Sequence, residues 1–564
     1  MSLVAAALGT VAGTPLAAQQ LQPPPPTREE VTPPPVAPVA PAPRVEVTGD
    51  IERAPCALAD PAYAAVRVTI TEAAFANLGP VTPQELLPAY RDLLGADRPV
   101  ATICDIRDAA ATVLRRKGYL AAIQVPVQKI ENGRVAFEVI YGRLTAIRVR
   151  GDVGRAERLI EGYLSQLTRQ PVFNRNEAER YLLLARDLPG YDVRLALRPA
   201  GTVPGELIGE VTVRRSVLDM DVNVQNYAAP DTGRWGGQLR AQFYGLTGMG
   251  DRTTVSLYST AQTREQQILQ LAHDVRLGSE GLGFAARYTR AWSRPSGIAA
   301  GRIRADTHFG TFEANFPFVR AERGNLRGAA GLDVVDQTVR FDGLALSRDR
   351  IRIAYLRVDG DATDVRTGPA PGWRGSYSLE LRRGLAILHA SRLDPASGVG
   401  LSRLDGDATA TVIRGSAYAE MGLGRRVILT AAPRFQYAFS PLLSFEEFSG
   451  GTYTVGRGYD PGAIIGDEGV GLTVEARLAR FAPLPNRNIV MQPFAFVDSA
   501  RVWNRDRGGI DGSLVSIGGG VRAAVANRMR IDATLAAPLH RTALQTRRGP
   551  VRALLSITTR LGGL

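Results

Sequence analysis

A chain of 564 residues is too long for one ordinary core, and 45% hydrophobic residues with a mean hydropathy of −0.07 is too polar for a bundle of membrane-spanning helices. No stretch past the N-terminus offers the roughly 18 consecutive apolar residues that a spanning helix needs, so a membrane-embedded chain of this composition has to be a β-barrel, in which every second residue is free to be polar. The net charge of +13 comes almost wholly from arginine, Lys117 and Lys129 being the only lysines, and the arginines are spread along the chain. That spread speaks for solvated faces and against nucleic acid as a partner.

Residues 1–18, MSLVAAALGTVAGTPLAA, read as the apolar core and small-residue end of a secretory signal, with cleavage expected near Ala18. No Lys or Arg precedes Arg28, so the basic leading region is missing, and a truncated or misassigned start accounts for that. An export signal without a stop-transfer helix directs a chain to the periplasm, the outer membrane or beyond. Residues 19–62 form a proline-rich linker in which PPPP and PPPVAPVAPAP favour an extended, semi-rigid spacer over helix or sheet. The two cysteines, Cys56 and Cys104, are candidates for a disulfide in an oxidising compartment; two buried free thiols are the other reading.

A β-α-α-β-β pattern then appears twice, over 63–143 and 144–215. In the first copy, Val66–Thr71 alternates as a strand, and Thr82-Pro83-Gln84-Glu85 opens a helix with a hydroxyl cap, Pro at the first helical position and Glu at the third. A second helix runs from about Asp105 to Lys117 and stops at Gly118, and strands around Ala121–Lys129 and Val135–Tyr141 are joined through Asn132-Gly133, a hairpin turn signal. The second copy has a strand at Leu144–Arg150, helices at about Arg155–Leu167 and from the Asn174 cap to about Asp187, and strands at Asp192–Arg198 and Glu206–Arg214. Two small α+β modules are expected.

From Ser216 to Leu564 helical periodicity vanishes, and segments of nine to eleven residues alternate apolar and polar between Gly, Asp, Asn and Pro. Trp235, Leu239 and Phe243 share one face, with Gln238, Arg240 and Gln242 on the other. In Val470–Leu478, Thr473, Glu475 and Arg477 oppose the apolar set. A soluble sandwich would alternate over shorter runs; these lengths, with Arg and Glu on the polar side, fit strands around a wet lumen. About 350 residues at roughly 20 per strand and turn predict an all-β transmembrane barrel of 16 antiparallel strands.

At this point the chain resembles the two-partner secretion transporters of haemolysin-secretion type, within the superfamily of barrels that bear polypeptide-transport-associated (POTRA) domains. Phe173–Ala200, with its helix ending in Leu-Pro-Gly, is similar to that family's second POTRA domain. Phe445–Gly471 resembles the family's sixth extracellular loop, which folds into the lumen and carries an Arg-Gly-aromatic motif, here Arg457-Gly458-Tyr459. Phe496-Val497-Asp498 matches the Phe-x-Asp motif of the inner wall, and the resemblance implies that Asp498 pairs with Arg457. The residues support this independently. Around Met491–Arg501 both parities are apolar, so something covers the inner face that bears Phe494 and Phe496, and an Asp on that wall needs a guanidinium. Three departures stand out: Gly456 separates Val455 from Arg457, the last residue is Leu564 rather than an aromatic, and the proline tract leaves little room for the plug helix that many members carry.

The four histidines lie far apart, and no nucleophile elbow, Walker motif or dinucleotide fingerprint is present, so neither an enzyme nor a metal or cofactor site is expected. The resemblance implies an outer-membrane transporter that secretes a partner exoprotein bearing an N-terminal secretion domain. Periplasmic chaperones, the barrel-assembly machinery and outer-membrane lipid would be its other partners. Docking by strand addition on the module edges, 144–150 or 206–214, would start transport. A barrel-assembly factor of the same superfamily is the alternative, and a passive porin leaves the two modules without a purpose.

Overall fold

The computed structural model of the chain describes residues 26–32, 47–48, 55–201, 203–296, 302–364, 372–392, 398–483, 488–505, 509–526, 528–543 and 545–563. The signal-peptide reading of 1–18 and the terminal Leu564 lie outside the described residues, as does most of the proline tract.

The first module is built on a three-stranded sheet in which Arg134–Tyr141 lies between Glu72–Ala76, parallel to it, and Ala121–Gln124, antiparallel. The alternating run at 66–71 is not that sheet's strand: Arg67–Thr69 pairs with Asp97–Pro99 in a separate two-stranded ribbon, and the chain enters the sheet only at Glu72. The Thr82 capping box forms, the Glu85 carboxylate accepting the Thr82 amide at 2.8 Å, yet the helix spans only Pro83–Leu86. Pro88 ends it, since it brings no amide to the next turn. The helix Thr102–Arg116 closes at Gly118, whose φ of +89° needs a residue without Cβ. The Ala121 strand stops before Pro126, and Gln128 takes over the pairing with its side-chain amide, accepting the Ala136 amide and donating to the Ala136 carbonyl. Asn132 and Gly133 both take positive φ, as a tight turn requires. Cys56 and Cys104 are disulfide-bonded, which fastens the segment entering the module to the long helix.

The second module carries helices Glu157–Thr168 and Arg175–Arg186 on a sheet ordered Val47–Thr48, Tyr191–Pro199, Glu206–Arg215, Arg143–Gly151. Ile160, Tyr163, Leu164, Leu182 and Leu184 on the helices fill its core against Leu144, Val193, Leu195 and Val211. Two corrections follow. Glu206–Arg215 lies between two strands and is no edge, and the linker supplies a strand of its own, Val47–Thr48, parallel to Tyr191–Pro199.

Sixteen antiparallel strands then close into a barrel, from Leu218–Gln225 to Arg552–Gly563, which pair with each other from Asp219 to Gln225. The period-2 pattern decides which side faces lipid. Leu239, Leu257, Phe312, Leu356, Val497 and Leu535 are exposed on the outside, whereas Gln238, Ser256, Thr311 and Thr534 are buried within. Three neighbouring strands exceed the expected length: Ile303–Arg320, Gly324–Phe341 and Leu344–Thr363 have 18, 18 and 20 residues. A membrane needs only about 9–11 residues per tilted strand, so this wall stands above the far mouth, turned by Asp342-Gly343. Its edge beyond Ile353, which the next strand does not reach, is covered by the connecting chain: Gly400 accepts the Arg348 amide and Arg350 the Ser391 amide.

The second module is fastened to the near mouth. Arg320 grips Asp187 with two bonds of 2.6 and 2.7 Å, Arg180 and Tyr181 reach Glu280, and Arg155 donates to the Leu246 carbonyl. The Leu188-Pro189-Gly190 turn is the joint. Gly190, at φ +82°, lies so close to Tyr244 that an added Cβ would meet the ring at 2.7 Å.

Candidate functional site in the barrel lumen

Residues 439–467, between the strands Val427–Ala438 and Glu468–Leu478, fold into the barrel, with Phe448–Gly450 and Ile464–Gly466 pairing as a short hairpin inside it. Their tip is Arg457-Gly458-Tyr459. The register of the wall prepares its partner site: Asp498 stands opposite Thr473 on one neighbour and Ser516 on the other, and Glu475 stands opposite Phe496. Period 2 turns Phe494, Phe496 and Asp498 inward together, while Ala495 and Val497 face out.

Arg457 and Asp498 meet as the motifs imply. The guanidinium donates from Nε and Nη2 to the two Asp498 oxygens at 3.1 and 2.9 Å, and the Arg457 amide adds a third bond at 2.9 Å. Thr473 donates to the same carboxylate at 3.0 Å, and Asp498 is fully buried. The Phe of the motif is a platform: the Arg457 guanidinium carbon lies 3.4 Å from the centre of the Phe496 ring. Both rings have room to lie against the wall because Gly518 and Gly520 stand beside them, where a Cβ would meet Phe496 at 2.6 Å and Phe494 at 2.9 Å. Arg522, from the neighbouring strand, covers Phe494. Gly458 donates to Ser516, and the Tyr459 hydroxyl sits between the backbone of Val515 and of His540, tying the tip to the last extramembrane loop. The Gly456 departure has a steric reason. At φ +122° and against Leu514, a Cβ there would approach a methyl to 2.7 Å, and Val455 still packs inside against Gly471.

Sequence reasoning missed three parts of the site. Glu475 is buried and receives Arg457 at 2.8 Å, Arg477 at 2.6 Å and Arg522 at 2.6 Å, making it the second anchor of the tip. Its place on the lumen side was readable, its register was not. Asp467 at the base of the inward segment is fully buried and accepts from Arg403 of the preceding loop and from the backbone of Leu442 and Arg505. The third is a lumenal helix. The proline tract is not only a spacer: Arg28–Val31 forms one turn inside the barrel, capped by Thr27 and Glu30. Val31 packs among Tyr258, Ile268, Phe309 and Val335 of the wall, Gln337 donates to the Pro26 carbonyl, and Ser449 donates to Glu29 at 2.8 Å. A PxxTxEE-type stretch carrying its own capping box was the signal that could have found it.

The haemolysin secretion/activation protein family ShlB/FhaC/HecB matches residues 210–523. Among solved structures, CdiB from Escherichia coli is similar over 98% of this chain and 100% of its own, with a TM-score of 0.69 at 15% identity. CdiB from Acinetobacter baumannii covers 97% and 95% with a TM-score of 0.62 at 17% identity. BamA from Haemophilus ducreyi lacking POTRA domains 1–3 covers 88% and 100% with a TM-score of 0.51 at 13% identity. No curated protein matches the chain.

Proposed function

The chain belongs to the haemolysin secretion/activation protein family, the outer-membrane transporters of two-partner secretion, and from that premise we propose how its parts divide the transport of an exoprotein. The two POTRA modules stand in the periplasm and receive the unfolded partner. Strand addition has two sites on the second module: the Arg143–Gly151 edge, unpaired on its outer side among the described residues, and the Tyr191–Pro199 edge, which opens only when Val47–Thr48 leaves it. The partner then passes through the lumen, which requires the inward segment 439–467 and the helix Arg28–Val31 to yield. It folds outside, and folding there biases direction, since the periplasm supplies no ATP.

The observation that carries this reading is the lumenal lock itself: an inward-folded connection held by a two-point guanidinium–carboxylate contact, in a barrel whose first and last strands are paired and stitched by Asn223 and Asn226. Such a barrel opens inward more readily than sideways, which favours secretion over barrel assembly. The test pins the tip. Gly471 of the wall faces Val455 of the inward segment, and an added Cβ at 471 would lie 3.3 Å from that of Val455, near the spacing of a disulfide, so Val455→Cys with Gly471→Cys forms a tether under oxidation. Secretion should stop when this pair is oxidised and recover with reductant, whereas either single variant should secrete under both conditions. Undiminished secretion by the oxidised pair would overturn the reading.

A further inference from the structure

Six charged side chains meet where the inward segment touches the wall: Arg382, Arg414 and Arg28 against Asp333, Glu380 and Glu446. Arg382 is buried and hydrogen-bonds all three carboxylates, with 2.8 Å to Asp333 and 2.9 Å to Glu446. Arg414 donates to Glu446 at 3.0 Å. The adjacent Glu313 is neutralised by Arg357 at 2.8 Å. Arg28 differs from the other two cations. It reaches Asp333 and Glu446 only at 3.8 Å, its Nη1 makes no hydrogen bond, and its guanidinium lies 5.6 Å from the Phe309 ring. It completes the charge balance without being bonded in place.

Removing the lumenal helix therefore leaves two cations facing three carboxylates, two of them buried, with an aromatic ring beside the gap. Its neighbour Glu29 leaves Arg434 behind as well, but that side chain is 32% exposed and solvated even with the helix in place, whereas Asp333 and Glu446 lie deeper, at 2% and 6%. An unbalanced charge is far more costly in the second setting. We infer that Asp333, Glu446 and Phe309 form a cation site in the pore, filled by Arg28 at rest and by an arginine or lysine side chain of the passing polypeptide during transport. Because Glu446 belongs to the inward segment, the occupant of this site also steadies that segment against the wall. The inference rests on passage through the lumen.

The experiment uses the full-length protein in planar lipid bilayers, with acetyl-Gly-Arg-Gly-amide as probe and its citrulline counterpart as the neutral isostere. In Arg28→Ala the arginine peptide should reduce the channel current at concentrations about tenfold or more below those the citrulline peptide needs, and wild type should show no such preference. Adding Asp333→Asn to Arg28→Ala should abolish the preference; if that barrel does not insert, Glu446→Gln takes its place with the same expectation. Equal action of the two peptides on Arg28→Ala, or a preference that survives loss of the carboxylate, overturns the cation site. The readout is separate from secretion, so a protein that secretes without discriminating the peptides refutes the site alone. Discrimination by a protein shown not to pass its partner through the lumen refutes the transport reading instead.

Discussion

Arg457 is held by geometry that a point charge does not reproduce. Its planar fork meets both Asp498 oxygens, its face lies on Phe496, and its remaining nitrogen reaches Glu475. Arg457→Ala leaves the buried Asp498 without its cation, while Glu475 keeps Arg477 and Arg522, a loss of about 3–5 kcal/mol in the docking of the inward segment. Secretion should fall sharply while the amount of inserted barrel is unchanged. Arg457→Lys should restore only part of it. A double-mutant cycle with Asp498→Ala should show coupling of at least about 0.5 kcal/mol in secretion rate, and simple multiplication of the two defects would show that the pair does not act as one. Glu475→Gln should also weaken the lock, by releasing Arg457, Arg477 and Arg522 together. At this scale the sequence carried the motif residues and the demand for cover over Phe494 and Phe496. It did not carry Glu475 or Ser516, because which residue stands opposite which depends on strand register, and an alternating strand can slip by two without changing its pattern.

Among the elements, the edges of the second module decide how a partner docks. Proline placed along Arg143–Gly151 removes an amide without a ladder role wherever that amide faces outward, so at such positions partner binding should drop while the module stays folded. Circular dichroism of the isolated binding step's protein, the full chain in detergent, monitors folding alongside binding. Proline within Glu206–Arg215, which is paired on both sides, should unfold the module at nearly every position. If no proline in 143–151 separates binding from folding, docking does not use that edge. The first module gives a second prediction. The bridge from Cys56 to Cys104 closes a separation of 48 residues, worth about 4 kcal/mol in the chain-entropy model, so Cys56→Ser should lower that module's denaturation midpoint and wild type should show no free thiol on labelling. The helices were readable from caps and periodicity, and Gly118 and Asn174 mark their ends where they fall. The first strand was misplaced because Arg67–Thr69 alternates like a sheet strand but serves a side ribbon, and the inner helix was hidden in a tract whose prolines argue for an extended chain.

Across the whole molecule, the division into soluble modules and a barrel was legible because the hydrophobic period changes from 3.6 to 2 at about Ser216, and a closed barrel was the one arrangement in which a chain this polar satisfies its backbone in lipid. Of what fills the barrel, the inward segment was legible from its Arg457 motif and from the need to cover Phe494 and Phe496, whereas the helix Arg28–Val31 was not. The inward segment and the helix Arg28–Val31 are held by single side chains, with no periodic signal. Protease added to cells with a breached outer membrane should digest the modules and leave a C-terminal fragment of roughly 35 kDa, since the strands are shielded by lipid. Passage through the lumen is tested by placing a photo-crosslinking residue at either of two nearby positions of the strand Gly236–Tyr244 during secretion of the partner. Gln242 shares the lumen side with Gln238, whereas Leu239 is exposed on the lipid side. Crosslinks to the partner from position 242 and none from 239 are the predicted result, and crosslinks from 239 with none from 242 would contradict it.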